Sequence, residues 1–163
     1  MLNKERIYAL AREVGFSLCG VAKCRYLDVS HRHFDQWLTR GDGDGLEYMQ
    51  RNIEKRFDPS QLVEGAKTVI VCALNYRNPI TNGYAAEAHC KIASYACTID
   101  YHHTIKAMLH EMFARLREES PQLVGRAFVD SAPLAEKSWA VEAGLGWIGR
   151  QSLFVTRGFG TTV

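Results

Sequence analysis

The sequence lacks the features that would assign it to a class at once. Its five cysteines are odd in number and show no CxxC spacing, so neither a disulfide framework nor a protein-bound zinc or iron–sulfur site is indicated. No apolar run reaches the roughly 18 residues of a membrane span. The 20 basic and 18 acidic residues are spread along the chain without a block of one sign. These absences predict a cytoplasmic, globular protein with no membrane partner and with thiols that are merely packed.

Hydrophobic periodicity predicts a mixture of helices and strands. Asn3 is placed to cap a first helix that Gly15 would stop, and apolar residues at spacings of three and four predict a long helix over 102–119. The same patterns predict helices over 31–40, 46–52 and 133–143, strands over 16–22, 68–74, 91–96, 126–129 and 153–156, and turns over 78–83 and 144–149.

The order of these elements favours an α/β class, specifically an α+β sandwich formed by a single domain over 1–163. Residues 68–74 are apolar and rich in β-branched side chains, which is typical of a central strand covered on both faces.

Residues 144–149 match GxGxxG, the spacing of dinucleotide-binding turns. In such turns the glycines leave a strand and open a helix, whose amides face the pyrophosphate. Here the order is reversed, because the glycines follow a predicted helix and bulky Trp147 and Ile148 fill the turn. The motif therefore does not predict a nicotinamide site.

Asp130 follows the predicted strand over 126–129 and precedes Ser131, Ala132 and Pro133. Ligand clefts often open at strand ends, where an aspartate beside apolar residues can serve as an acid. The alternative is that Asp130 or Ser131 caps the helix that Pro133 opens.

Two further groups of polar residues are candidates for function. A basic stretch before Asp58 could bind phosphate or be a solvated helix face. An aromatic and acidic cluster precedes the long helix, where a histidine could move protons or Asp100 could act as a cap. The members are Arg51, Lys55 and Arg56 in the first group, and Tyr95, Asp100, Tyr101, His102 and His103 in the second.

Taken in order, several segments resemble the amino-terminal domain of epoxyqueuosine reductases. The most specific of them are Phe128 to Pro133 and Ala143 to Gly149. The others are Tyr48-Met49, Arg56 to Pro59, Val69 to Val71, Asn75-Tyr76 and Asp100 to His102.

The resemblance implies a cobalamin-dependent oxidoreductase that reduces epoxyqueuosine to queuosine in the anticodon loop of tRNA. It implies a corrinoid-binding fold like that of reductive dehalogenases and flavin nitroreductases. Asp130 would donate the proton. The residues implied as cobalamin contacts are Arg56, Tyr95, Asp130, Ser152 and Phe154.

The sequence departs from the family pattern at three places. Ser94 replaces an arginine before Tyr95, Thr98 to Ile99 replace a glycine before Asp100, and Arg150 replaces a lysine. The family's ferredoxin-like domain, with two four-iron–four-sulfur clusters, would lie beyond Val163. The expectation is therefore a truncated domain, monomeric and incompetent for turnover alone, which needs an electron donor.

Two alternatives stay open on the sequence. The chain could be a stand-alone corrinoid-binding carrier, or it could be a flavin-dependent reductase on the related fold.

Overall fold

The computed structural model describes residues 2–79, 84, 87 and 89–163. Its helices are α1 (Lys4–Val14), α2 (Asp28–Thr39), α3 (Ile53–Phe57), α4 (Tyr101–Glu119) and α5 (Glu136–Glu142). Its strands are β1 (Leu18–Lys23), β2 (Thr68–Ala73), β3 (Trp147–Ile148) and β4 (Phe154–Val155). Single 3-10 turns cover Glu47–Gln50, Pro59–Gln61 and Ser94–Cys97.

Helices α1 and α4 enclose the first hydrophobic core together with β1. The Asn3 side chain accepts a hydrogen bond from the Arg6 N–H, and Gly15 ends α1 in the left-handed region at φ 108°. Leu10 is fully buried against Met112 and Leu116 of α4. The predicted cap, stop and long amphipathic helix are confirmed, because each rests on local chemistry that packing reinforces.

Strands β1 and β2 form an antiparallel pair in which Cys19 lies opposite Cys72. Strands β3 and β4 form a second antiparallel pair, in which Trp147 faces Val155. The mixed helix and strand class is confirmed. In the part of the chain that the structure describes, no helix is both long and apolar enough to cross a membrane.

Several predictions about elements are wrong; one is the turn over 144–149, which contains strand β3. Residues 91–96 form no strand but run into the 3-10 turn at Ser94–Cys97, and residues 126–129 form an irregular segment. Strand β2 pairs only with β1 among the described residues and keeps every side chain at least partly exposed, so it is not a central strand. The last helix begins at Glu136, three residues after Pro133. The predicted turn over 78–83 falls partly on residues 80–83, outside the described residues.

A second core joins β1 to the helices that carry the candidate site. Phe57 of α3 and Trp139 of α5 are each 3% exposed and pack with Ala22 and Leu27. Gly20 of β1 lies so close to the end of α5 that an added Cβ would stand 2.5 Å from the Ala143 carbonyl oxygen. The sheet and α5 therefore meet backbone to backbone.

We expect Gly20→Ala to destabilise the fold by about 1–3 kcal/mol, because the new methyl group forces β1 away from α5. Gly158→Ala is the matched control: a Cβ there meets nothing within 4 Å, so its effect should stay within about 0.5 kcal/mol. Urea unfolding of both variants measures the difference. Equal stability of the two variants would contradict the close approach.

Candidate functional site

The candidate site is an open cavity of about 320 Å³ between α3 and the segment before α5. One wall comes from residues 48–56 and the other from residues 130–133. A backbone hydrogen bond of 2.9 Å from the Ala135 N–H to the Arg56 carbonyl oxygen joins the two walls. The lining residues are Tyr48, Arg51, Asn52, Arg56, Asp130, Ser131, Ala132 and Pro133.

Asp130 is held at the cavity through both its side chain and its backbone. Its Oδ2 accepts a 2.6 Å hydrogen bond from the Tyr101 hydroxyl and lies 3.6 Å from His102 Nε2. Its backbone N–H donates to Glu136 Oε1 over 3.1 Å. With φ at 47°, Asp130 occupies the left-handed region that few residues other than glycine adopt.

The capping hypothesis for Asp130 and Ser131 is wrong. The residue before α5 is Ala135, and none of the described side chains caps that helix. Instead, the side chain of Glu136, the first residue of α5, accepts a hydrogen bond from the Asp130 backbone N–H. The Asp130 carboxylate is thereby left to face the cavity and Tyr101. The cap proposed at Asp100 is confirmed, since its Oδ1 accepts from the His102 N–H over 2.9 Å.

The ionisable groups around Asp130 influence one another. The hydrogen bond to Asp130 raises the pKa of Tyr101 to about 12. The His102 ring and backbone N–H lower the pKa of Asp100, which they contact directly. The pKa of Glu136 is raised, first by desolvation of its carboxyl group and then by the charge of Asp130. Glu136 as a whole residue is nevertheless exposed to solvent. Tyr101 and Glu136 therefore hold their protons more tightly than usual, whereas Asp100 loses its proton more readily.

Arg56 contributes a cation and an unsatisfied donor to the opposite wall. Its guanidinium lies 5.7 Å from the centre of the Phe34 ring. Its Nε is buried and has no hydrogen-bond partner among the described residues. A buried N–H without an acceptor costs free energy. Arg56 is thus suited to binding a polar group of a ligand.

The structure brings together only some of the residues that the resemblance implied. Arg56 and Asp130 line one cavity. Tyr95 is not among the lining residues; its ring is edge-on to that of Tyr101, with 6.4 Å between the ring centres. Ser152 and Phe154 lie outside the cavity lining, and Ser152 is attached to α5 through a 2.8 Å hydrogen bond from Lys137 Nζ to its carbonyl oxygen.

Three residues at the site were not predicted as site residues from the sequence. Tyr48 and Asn52 line the cavity, and Glu136 binds the Asp130 backbone. Tyr48 stands in one of the family-like motifs, which was a usable signal. No local pattern marks Glu136, because its contact crosses an irregular turn.

Comparison with known proteins gives the same family by three routes. The family described as "Epoxyqueuosine reductase QueG, DUF1730" matches residues 56–131, which include both Arg56 and Asp130. An epoxyqueuosine reductase of Cyclobacterium marinum is 41% identical over 151 residues, which cover 93% of this chain and 48% of that protein. One of Cellulophaga algicola is 38% identical over 159 residues, covering 98% of this chain and 51% of that protein.

Solved structures agree on the fold. The epoxyqueuosine reductase of Streptococcus thermophilus superimposes with a TM-score of 0.86 at 25% identity, over 99% of this chain and 44% of that one. A structure of epoxyqueuosine reductase with an epoxyqueuosine-modified tRNA-Tyr stem loop gives a TM-score of 0.83 at 20% identity, over 98% and 42% of the two chains.

The fold is thus that of one part of the longer epoxyqueuosine reductases to which the chain is similar, and the site is a cleft that presents the Asp130 carboxyl group. More particularly, the chain belongs to the epoxyqueuosine reductase family. It spans about half the length of the curated relatives it matches.

The Tyr101 to Asp130 hydrogen bond predicts a specific pH dependence. The pKa of Tyr101 is about 12 in the folded protein, above the ordinary value of about 10. The stabilising contact is therefore complete below pH 10 and is lost as the pH rises towards 12. We expect Asp130→Ala to return the Tyr101 pKa towards 10.

The measurement is the Cζ resonance of Tyr101 in ¹³C-tyrosine-labelled protein, assigned with Tyr101→Phe. Tyr76, which is hydrogen-bonded to the Thr161 carbonyl oxygen, is the internal control, and its titration should not respond to the Asp130 substitution. A Tyr101 titration that is identical in both proteins would show that the bond does not form.

Proposed function

We propose that this chain is the cobalamin-binding catalytic domain of an enzyme that reduces epoxyqueuosine to queuosine in tRNA. The observation that carries the proposal is the placement of the Asp130 carboxylate at the cavity wall opposite Arg56. Membership of the epoxyqueuosine reductase family supplies the reaction. The corrinoid-binding fold of reductive dehalogenases and nitroreductases is part of the same proposal.

The residues present fit a large, amide-rich cofactor. Cobalamin offers hydrogen-bond acceptors around its ring, and the buried Arg56 Nε has no acceptor in the part of the chain that the structure describes. The ring of Tyr95 is 54% exposed and contacts Tyr101, which binds Asp130, so it offers an aromatic surface to the cofactor. Ser152 and Phe154 would contact the cofactor beyond the cavity wall. When bound, cobalamin would supply electrons to the substrate's strained ring.

The role proposed for Asp130 follows from the chemistry of ring opening. An epoxide oxygen departs as an alkoxide, a poor leaving group, so an acid within hydrogen-bond reach lowers the barrier. Asp130 would donate that proton from its carboxyl group. The Tyr101 hydroxyl, 2.6 Å from Asp130 Oδ2, orients the group. His102, 3.6 Å from the same oxygen, is placed to return a proton after each turnover.

The proposal of an RNA partner rests on the family of the chain and on a cation at its cavity. A structural relative binds an epoxyqueuosine-modified tRNA-Tyr stem loop. In this chain, exposed Arg51 on the cavity wall provides a donor for a phosphate group, and Tyr48, 61% exposed, provides a ring on which a base can stack. Electrons would come from iron–sulfur clusters outside this chain. The proposed unit is a monomer that does not turn over alone.

Replacing Arg56 should weaken cobalamin binding. Arg56→Ala removes a donor that has no partner among the described residues. We expect about a tenfold or greater increase in Kd, as for the loss of one charge-assisted hydrogen bond. Lys55→Ala, which removes an exposed cation from the same helix, is the matched control and should leave Kd within about twofold. Titration of the chain with cobalamin, followed by visible absorption, measures both. Equal affinities of the two variants would remove Arg56 from the cofactor site.

Asp130→Asn should abolish epoxide reduction in the full-length protein and leave cobalamin affinity nearly intact. Asparagine tolerates the left-handed conformation and keeps an acceptor for Tyr101, but it has no proton to give. Mass spectrometry of nucleosides from tRNA incubated with reductant and enzyme measures the product. Turnover close to that of the unmodified enzyme would eliminate Asp130 as the acid.

A further inference from the structure

The segment over 126–135 has no regular secondary structure to hold it in place. Asp130, at its centre, adopts a φ of 47°, which L-residues seldom adopt unless the surroundings impose it. Among the described residues, the hydrogen bond that joins the segment to α3 lies at its end, from the Ala135 N–H to the Arg56 carbonyl oxygen. Something closer to Asp130 must therefore fix its backbone.

Glu136 makes that contact. Its Oε1 accepts the Asp130 N–H over 3.1 Å, six residues back along the chain. Glu136 is the first residue of α5, whose following turns are anchored in the core by Trp139 and Ala140. The carboxylate thus reaches from a fixed helix to the strained residue.

Two contacts place Asp130, one to its side chain and one to its backbone. Tyr101, the first residue of α4, binds the carboxylate, and Glu136, the first residue of α5, binds the backbone. Without the second contact, the peptide before Asp130 is free to rotate, and the carboxylate can leave the cavity wall.

We propose that Glu136 is the positioning residue for Asp130, holding its backbone N–H so that the Asp130 carboxyl group faces the cavity. The proposal rests on the proposed function in that Asp130 is taken as the acid. Glu136 itself does not line the cavity and acts through Asp130.

Glu136 also places a second carboxyl group next to the acid. A nearby negative charge disfavours the loss of a further proton, and the charge of Asp130 is one cause of the raised pKa of Glu136. Position and charge can be separated by substitution. Glutamine keeps an oxygen that can accept the Asp130 N–H but has no charge, whereas alanine has neither.

The first experiment measures solvent exchange of the Asp130 amide proton by NMR in the chain itself. We expect Glu136→Ala to accelerate exchange by about tenfold, the factor for one hydrogen bond, and Glu136→Gln to stay within about threefold of the unmodified chain. Glu142→Ala is the matched control: it removes an acid from the same helix that pairs with Arg25 and should change nothing at Asp130. Exchange that is unaltered in Glu136→Ala, or accelerated equally in Glu136→Gln, overturns the proposal.

The second experiment tests the electrostatic coupling between the carboxyl groups of Asp130 and Glu136. A general loosening of residues 126–135 would not reproduce its result. In ¹³C-labelled protein, Asp130→Asn should lower the pKa of Glu136 because it removes a neighbouring charge. The lowered pKa should still lie above its ordinary range, because the desolvation persists. An unchanged Glu136 titration overturns the proposal. Neither measurement needs cofactor or tRNA. If both succeed and the full-length protein still reduces no epoxide, the proposed function fails while the positioning role stands.

Discussion

The candidate site depends on one backbone hydrogen bond, from the Ala135 N–H to the Arg56 carbonyl oxygen. It joins two segments that lie far apart in the sequence, and burial of Phe57 and Trp139 on either side shields it. Because the donor and acceptor are main-chain atoms, the contact does not depend on which side chains stand at those positions. The cation of Arg56 and the acid of Asp130 face one cavity as a result.

Elements with strong local signals could be predicted from the sequence. Asn3, Gly15 and the apolar repeat of α4 specify their helices through capping, a left-handed stop and amphipathicity. Residues 91–96 and 126–129 were predicted wrongly as strands, since short apolar runs do not reveal whether a partner strand is available. In the structure, neither segment pairs with a strand among the described residues.

Individual site residues could be predicted from the sequence, but the contacts between them could not. Arg56 and Asp130 stand in motifs typical of a family, so their importance could be stated before their proximity was known. The bonds of Tyr101 and Glu136 to Asp130 could not be predicted, because one spans 29 residues and the other crosses a left-handed turn. Which side chains contact Asp130 depends on how the elements pack, and sequence periodicity does not predict such contacts.

The left-handed backbone at Asp130 restricts which amino acids can occupy that position at all. Glycine, asparagine and aspartate enter this region most readily, whereas β-branched and longer side chains meet steric resistance. Of those three, only aspartate carries an exchangeable acidic proton. Glutamate has the same functional group, but its longer side chain enters the left-handed region less readily. Backbone geometry and chemistry therefore converge on a single residue, and a homologue with another acid here would need a differently shaped loop.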